Sequence, residues 1–173
     1  TALHVRMANI DYESDTAYLE DFAAARGVRL IVRETSFDPS TDTRKSPCFL
    51  CSWNRRKMLF TVAQELGCHK IALGHHQDDI LLLNLSFQGQ FGTMPARLQM
   101  RKFPMTIIRP LCMVHERDLA AWAALQGYRK QKKLCPYETD SHRSDIKQIF
   151  GQLEQLYPEA RYSLWNALEQ EGK

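Results

Sequence analysis

The sequence predicts an α/β fold, a doubly wound and mostly parallel sheet in a single domain spanning residues 1–173. Three observations carry that reading. Short apolar runs of strand length alternate with longer stretches of helical character. Gly27, Gly67 and Gly127 each stand where such a helical stretch should stop. The polar run Gly74-His75-His76-Gln77-Asp78-Asp79 follows directly on Ile71–Leu73, at the carboxyl end of a strand, where sheets of this class place their ligands.

The elements are expected in this order. Leu3 to Ile10 reads as a strand ending at Asp11, Tyr18 to Arg26 as a helix, and Val28 to Val32 as a second strand. Phe37 to Ser46 is polar, carries Asp, Ser, Thr and Pro, and reads as a loop. Ser52 can cap a helix running to Leu66, with Met58, Val62 and Leu66 on one face. Ile71 to Leu73 is a short buried strand. Asp78 and Asp79 then open a helix through Phe87, their charge suiting the positive end of its dipole. Gly89 to Lys102 reads as a loop, Met105 to Ile108 as a strand, and His115 to Gln126 as a helix. Ser144 to Leu156 is the clearest helix, with Ile146, Ile149, Phe150, Leu153 and Leu156 on one stripe ahead of Pro158. Residues 140–173 form a C-terminal helical extension. Trp53, Trp122 and Trp165 sit at helical spacing among apolar neighbours and are expected in the core.

Composition is that of a globular protein able to bury a core, with 44% hydrophobic and 25% charged residues. No apolar run approaches the roughly 18 residues of a membrane span, and no charged-then-apolar leader opens the chain. A cytoplasmic protein without a membrane partner is therefore expected. Five cysteines, at 48, 51, 68, 112 and 135, are an odd number in a reducing setting. There, Cys48-Phe49-Leu50-Cys51 reads as a ligand pair or redox motif rather than a disulfide staple. The net charge of +3 identifies no partner. Its distribution says more: Arg97, Arg101, Lys102 and Arg109 lie in one stretch, and Arg129, Lys130, Lys132 and Lys133 in another. Each is either a solvated loop or a surface for nucleic-acid phosphates.

Several motifs carry chemistry. Cys48 and Cys51 can direct two sulfurs at one metal or cluster, and Cys135, stiffened by Pro136, is the natural third ligand. Three cysteines suffice for an iron–sulfur cluster with one open iron, whereas zinc wants a fourth ligand, for which His142, Cys68 and Cys112 are available. Cys68 and Cys112 otherwise read as ordinary buried thiols. Gly74 allows close backbone approach to a ligand, and Asp78 or Asp79 could hold Mg2+ beside a triphosphate. The plain alternative is one Asp capping a helix and the other exposed. Arg55, Arg56 and Lys57, placed in the first turn of a helix starting at Ser52, would oppose its dipole, which suggests that they bind an anion. No Gly-x-Gly-x-x-Gly or Gly-x-x-x-x-Gly-Lys loop occurs, and no Ser–His–Asp arrangement supports acyl transfer.

Taken in order, Pro47-Cys48-Phe49-Leu50-Cys51 with Arg55-Arg56, Ile71 through Leu81, Met94-Pro95, Ile108-Arg109-Pro110-Leu111 and Cys135 resemble the PP-loop ATPases of the tRNA 2-thiocytidine synthetase type. The resemblance covers most of the chain. It implies an adenine-nucleotide alpha-hydrolase (HUP)-like fold binding ATP and Mg2+ at the strand ends. It also implies an ATP-dependent tRNA sulfurtransferase of the N-type ATP pyrophosphatase kind, which adenylates a base oxygen and lets sulfur displace AMP. By this likeness Cys48, Cys51 and Cys135 hold a [4Fe–4S] cluster, with zinc the alternative, and Asp78, Asp79 and Cys135 carry the catalysis. Gly74, His75, His76, Asp78, Asp79, Arg55 and Arg56 lie on the nucleotide side. From the clustering of their charge, Arg101, Lys102, Arg129, Lys130, Lys132 and Lys133 are expected to contact tRNA phosphates. A sulfur-donor protein is the further partner, and a homodimer is compatible with the pattern.

Two departures stand out. The family's Ser-Gly-Gly-x-Asp-Ser loop is absent, so the sequence is expected to omit an N-terminal strand, PP-loop and helix and not to cleave ATP alone. Where many relatives carry a second Cys-x-x-Cys, this chain has Cys135-Pro136-Tyr137-Glu138, which leaves the modified nucleotide open. Two rivals stand beside this reading: a tRNA(Ile)-lysidine synthase-like ligase, which needs no cysteines, and a noncatalytic zinc-containing RNA-binding module.

Overall fold

A computed structural model of the chain describes residues 1–10, 14–40, 46–86, 94–130, 135, 137 and 143–171. Its contacts divide it into two compact units, Thr1–Cys68 with Arg129–Asp140, and His69–Tyr128 with Ser141–Lys173.

The first unit is a β-α-β-α arrangement. β1 (Ala2–Met7) and β2 (Leu30–Thr35) pair in parallel, in register from Ala2 opposite Leu30 to Met7 opposite Thr35. Between them runs α1 (Thr16–Ala24), started by the Asp15 carboxylate, which accepts the Tyr18 N–H at 2.9 Å. Gly27 ends it at φ +63°, a left-handed conformation that costs glycine little. The second strand starts two residues later than the sequence suggested and extends further, because Arg26 to Val28 are used in leaving the helix.

The next helix is a larger correction. α2 runs Pro47–Glu65, not from Ser52, because Ser46 caps it, accepting the Phe49 N–H at 3.2 Å, and Pro47 takes the first helical position. Proline is well placed there, since its missing N–H has no helical partner to lose. α2 packs on both strands. Met7, Ile10, Phe37 and Leu50 form the buried cluster at the carboxyl ends of the strands, with Cys51 and Cys135 packed against it. Met7 is almost fully buried, which is worth about 1.5–3 kcal/mol. Asn9 ties the two strand ends together, its side chain donating to the Phe37 carbonyl at 2.6 Å.

In the second unit β3 (Lys70–Ala72) pairs in parallel with β5 (Thr106–Ile108), and β4 (Arg97–Gln99) adds antiparallel to β5. β4 lies inside the stretch expected as a loop; its three residues are all exposed and lack the apolar signal that marks a buried strand. α3 (Gln77–Ser86) follows β3, α4 (Glu116–Leu125) follows β5, and α5 (Arg143–Leu156) and α6 (Ala160–Glu171) complete the unit. Phe87 and most of the Gly89–Lys102 stretch before β4 lie outside the described residues.

The core here is Ile80, Leu81, Leu82, Cys112, Phe150 and Leu168, with Ile146, Leu164 and Trp165 against it. The α5 stripe is thus only partly used. Phe150 is buried, while Ile149, Leu153 and Leu156 are exposed, Leu156 at 86%. Trp165 meets the expectation of a core position; Trp53 and Trp122 do not, being 49% and 55% exposed. Among the described residues the second edges of β1 and β3 carry no strand partner, and no helix is long and apolar enough to cross a membrane.

Candidate functional site

Starting α2 at Pro47 changes the meaning of the cysteine pair. Cys48 and Cys51 are not on a loop but in the first turns of a helix, three residues apart on one side of it. Cys48 is exposed, and its thiol donates to the Tyr137 carbonyl at 3.6 Å. Cys51 and Cys135 are half-buried against the Met7–Leu50 cluster. Cys51 feels both of the other sulfurs. Burial pushes the Cys51 thiol up, the Arg55 guanidinium draws it down, and the neighbouring Cys135 and Cys48 push it up again. The chain therefore brings together, in one unit, the three cysteines singled out by spacing.

Among the described residues no group of three or more His, Cys, Asp or Glu side chains closes on a single-ion site. Around one zinc, sulfurs bound at about 2.3 Å must nearly touch. An iron–sulfur cluster asks less, since each thiolate meets its own iron. An apolar floor, three thiols and a nearby guanidinium fit such a cluster. Cys68 is half-buried and Cys112 buried, as expected of ordinary thiols; His142 lies outside the described residues.

Arg55, Arg56 and Lys57 occupy the third turn of α2, not the first, so the dipole argument for an anion site falls away. Arg55 lies on the cysteine side and also lowers the His4 imidazole, which burial and then Arg55 and Arg6 keep below its ordinary value. Arg56 is exposed and donates to the Ser52 carbonyl of its own helix at 3.2 Å.

The Gly74–Asp79 turn stands at the carboxyl end of β3, as expected, and its two carboxylates have different roles. Asp79 and His76 bond reciprocally. The His76 N–H donates to Asp79 Oδ2 at 3.3 Å, and the Asp79 N–H to His76 Nδ1 at 3.4 Å. This is a capping box with histidine in the serine position. The bonds are long, and Asp79 keeps 28% of its side chain exposed.

Asp78 is committed elsewhere. Its Oδ2 accepts the Glu116 N–H at 2.7 Å, capping α4, and its Oδ1 lies 2.9 Å from Arg161 Nη1. Burial alone would raise the Asp78 carboxyl, but the Glu116 N–H, Arg161 and His76 hold it below the usual carboxylate range. Arg161 also grips Glu154, with Nε to Oε1 at 2.8 Å and Nη2 to Oε2 at 3.1 Å. Only 12% of its side chain is exposed.

Sequence reasoning missed Arg161, and a signal for it existed. It lies in the first turn of α6, where a cation is disfavoured without an acidic partner. A cavity of about 410 Å3 opens beside the pair, lined by Asp78, His115, Lys147, Phe150 and Arg161 among others. A second of about 760 Å3 lies on the Trp165 and Tyr162 side of Arg161. Neither is lined by Gly74 or His75. A Cβ built on Gly74 meets nothing within 4 Å, so the described chain does not itself require glycine there.

The basic stretches separate. Arg109 is buried, its guanidinium bonded to the Pro95 carbonyl and 3.4 Å from His75 Nδ1, and burial draws it below its usual value. It supports the turn from beneath and is neither solvated nor open to phosphate. Arg97, Arg101 and Lys102 are exposed in the second unit. In the first, Lys130 is exposed and Arg129 is anchored, 5.2 Å over the Tyr18 ring and 3.8 Å from Asp15. Lys132 and Lys133 lie outside the described residues.

No protein-family model matches the chain. Curated proteins do. A tRNA-cytidine(32) 2-sulfurtransferase of Verminephrobacter eiseniae is 41% identical over 129 residues, covering 72% of this chain and 41% of that protein. The protein of the same name from Sorangium cellulosum is 37% identical, over 87% of this chain and 56% of its own length. That of Syntrophotalea carbinolica is 36% identical, over 88% and 61%. The chain spans about half the length of the curated relatives it matches. Among solved structures, the U34-tRNA thiolase NcsA from Methanococcus maripaludis with its [4Fe-4S] cluster superposes with a TM-score of 0.78 at 24% identity, over 97% of this chain and 60% of that one. The chain thus shares the fold of that solved structure, and its sequence is homologous to the tRNA-cytidine(32) 2-sulfurtransferases.

Proposed function

We propose that this chain, a relative of the tRNA-cytidine(32) 2-sulfurtransferases, serves in ATP-dependent thiolation of tRNA, and specifically in replacing the 2-oxygen of a cytosine by sulfur. In this reaction the base oxygen attacks the α-phosphorus of ATP and pyrophosphate leaves. A sulfur nucleophile then adds at C2, and AMP departs with the oxygen. The whole of residues 1–173 is carried as one PP-loop-type domain with 140–173 as its helical extension, a reading supported by the fold match across 97% of the chain.

The single observation that carries the proposal is the grouping of Cys48, Cys51 and Cys135. These three thiolates would hold a [4Fe–4S] cluster, which when bound supplies an iron with an open position for sulfur. The chain's own contribution is legible around them. The Met7, Ile10, Phe37 and Leu50 side chains exclude water from the Cys51–Cys135 side. Arg55 offsets the negative charge that three thiolates create. A lysidine-forming ligase has no use for such a grouping, which favours thiolation over it.

On the nucleotide side, Asp79 is the residue fitted to Mg2+, being partly exposed and held only by long bonds. Asp78 fixes the turn, with His76 capping it and His75 resting on Arg109. Arg101, Lys102, Arg129, Lys130, Lys132 and Lys133 supply tRNA phosphate contacts, and a sulfur-donor protein completes the cycle.

Anaerobic purification with iron and sulfide quantitation tests the reading. About four irons and four sulfides per chain are expected, with broad visible absorbance that is lost in Cys48→Ser, Cys51→Ser and Cys135→Ser. Full thiolation of tRNA by a protein in which all three are serine would overturn it.

A further inference from the structure

Helix α2 carries a second feature that the thiolation chemistry does not use. Phe49, Trp53 and Lys57 are four residues apart and share one stripe of the helix, and Arg56 lies beside it. Phe49 is 44% and Trp53 49% exposed. The Lys57 ammonium lies 5.4 Å from the centre of the Trp53 ring. Cys48, Cys51 and Arg55 occupy a different side of the same helix. Across a helix, the two faces are separated by no more than about 10–12 Å.

Charge on α2 is one-sided. Arg55, Arg56 and Lys57 are its cations, and no Asp or Glu occurs from Pro47 to Gln64. Two large aromatics held in water beside cations, with no acid among them, complement a polyanion that also offers flat apolar faces. Unstacked nucleotides of RNA are such a ligand, since bases stack on aromatic rings while phosphates meet the cations. Protein interfaces also favour aromatics and Arg, but they are depleted in Lys, and here Lys57 stands on the aromatic stripe itself.

We propose that the Phe49–Trp53–Lys57 face of α2, with Arg56, is an RNA-binding platform on which an unstacked base of the substrate packs against Trp53. It rests on the tRNA reading above and places a splayed nucleotide within a helix diameter of the cysteines. Stacking of one base on an aromatic ring is typically worth about ten- to a hundredfold in affinity.

The test is equilibrium binding of unmodified tRNA to the full-length protein at several salt concentrations. Trp53→Ala is expected to weaken binding about tenfold with the salt slope unchanged, because no phosphate contact is lost. Trp53→Phe should restore most of the affinity. The double variant Arg56→Gln/Lys57→Gln should instead flatten the slope. RNA-induced quenching of tryptophan fluorescence should fall sharply in Trp53→Phe, a readout that does not depend on the alanine variant folding. Parent-like affinity in Trp53→Ala, with parent-like quenching in Trp53→Phe, would overturn the platform and leave the tRNA reading standing. So would weakened capture of a sulfur-donor protein with unchanged tRNA affinity, which would mark the face as a protein dock. Failure of the parent itself to bind tRNA would overturn both.

Discussion

The cysteine region of the first unit and the Gly74–Asp79 region of the second hold their reactive side chains in opposite ways. Around Cys51 and Cys135 the support is apolar: Met7, Ile10, Phe37 and Leu50 position the sulfurs by packing. Around Asp78 the support is polar, a chain of charge-assisted bonds from the α4 N-terminus through the carboxylate to Arg161 and Glu154. Packing fixes a group without using its bonding capacity. A salt-bridge network fixes a group by using it up. Cys51 and Cys135 are therefore held by packing alone and Asp78 becomes part of the frame; on the proposed reading the thiols take the cluster and Asp79 the Mg2+.

This contrast can be broken most directly at the cysteines. Cys51→Ser should abolish iron content and thiolation together while shifting unfolding of the cluster-free protein by only about 1 kcal/mol, the usual cost of a point substitution, since Cys51 is half-buried. Loss of activity accompanied by global unfolding would erase the distinction between the two regions. The reverse pattern is expected at Arg161. Arg161→Gln strands a buried carboxylate and should cost about 3 kcal/mol in urea unfolding. In the full-length protein, Asp78→Asn should lower pyrophosphate release mainly through stability, whereas Asp79→Asn should raise the Mg2+ concentration required while leaving the melting curve in place. A Mg2+ requirement that moves with Asp78 and not Asp79 would reverse the assignment.

A smaller effect is expected at the start of α2. Ser46→Ala should cost about 1 kcal/mol and loosen the turn that carries Cys48 and Cys51. Retention of the first-turn amide protection in hydrogen exchange would show that Pro47 alone starts the helix.

The pH dependence sharpens the comparison further. His4, lowered by burial, Arg55 and Arg6, is kept neutral in the folded chain. Its contribution is complete above an ordinary histidine pKa of about 6.5 and is lost as pH falls toward the lowered folded value. Asp78 is lowered as a carboxylate, so its contribution holds above about pH 4 and drains only below it. His4→Gln should flatten the stability profile from about pH 6.5 downward, and Asp78→Asn only the acid limb below about pH 4. Interchanged windows would show that the two regions had been misassigned.

Local signals in the sequence account for the alternation of strands and helices, the stops at Gly27, Gly67 and Gly127 and the strand-end position of Gly74–Asp79, and they propose the cysteine trio. Each follows from local rules: period, a left-handed glycine, and chemistry that only certain side chains possess. Ser46-Pro47 is as good a local helix start as Ser52, and the fold uses it, so Arg55, Arg56 and Lys57 lie beyond the first turn that a start at Ser52 would give them.

Other features depended on which distant groups meet. Asp78 and Asp79 are adjacent and chemically identical, so no local rule could give one to Arg161, more than eighty residues away, and leave the other with His76. Arg109 looked like its basic neighbours until the fold buried it under Pro95 and His75. Trp53 and Trp165 have similar surroundings in sequence, yet one lies on a core cluster and the other in water. Burial is a property of the packed whole: a side chain's own chemistry states what it would gain by being covered, and only the tertiary structure decides whether anything arrives to cover it.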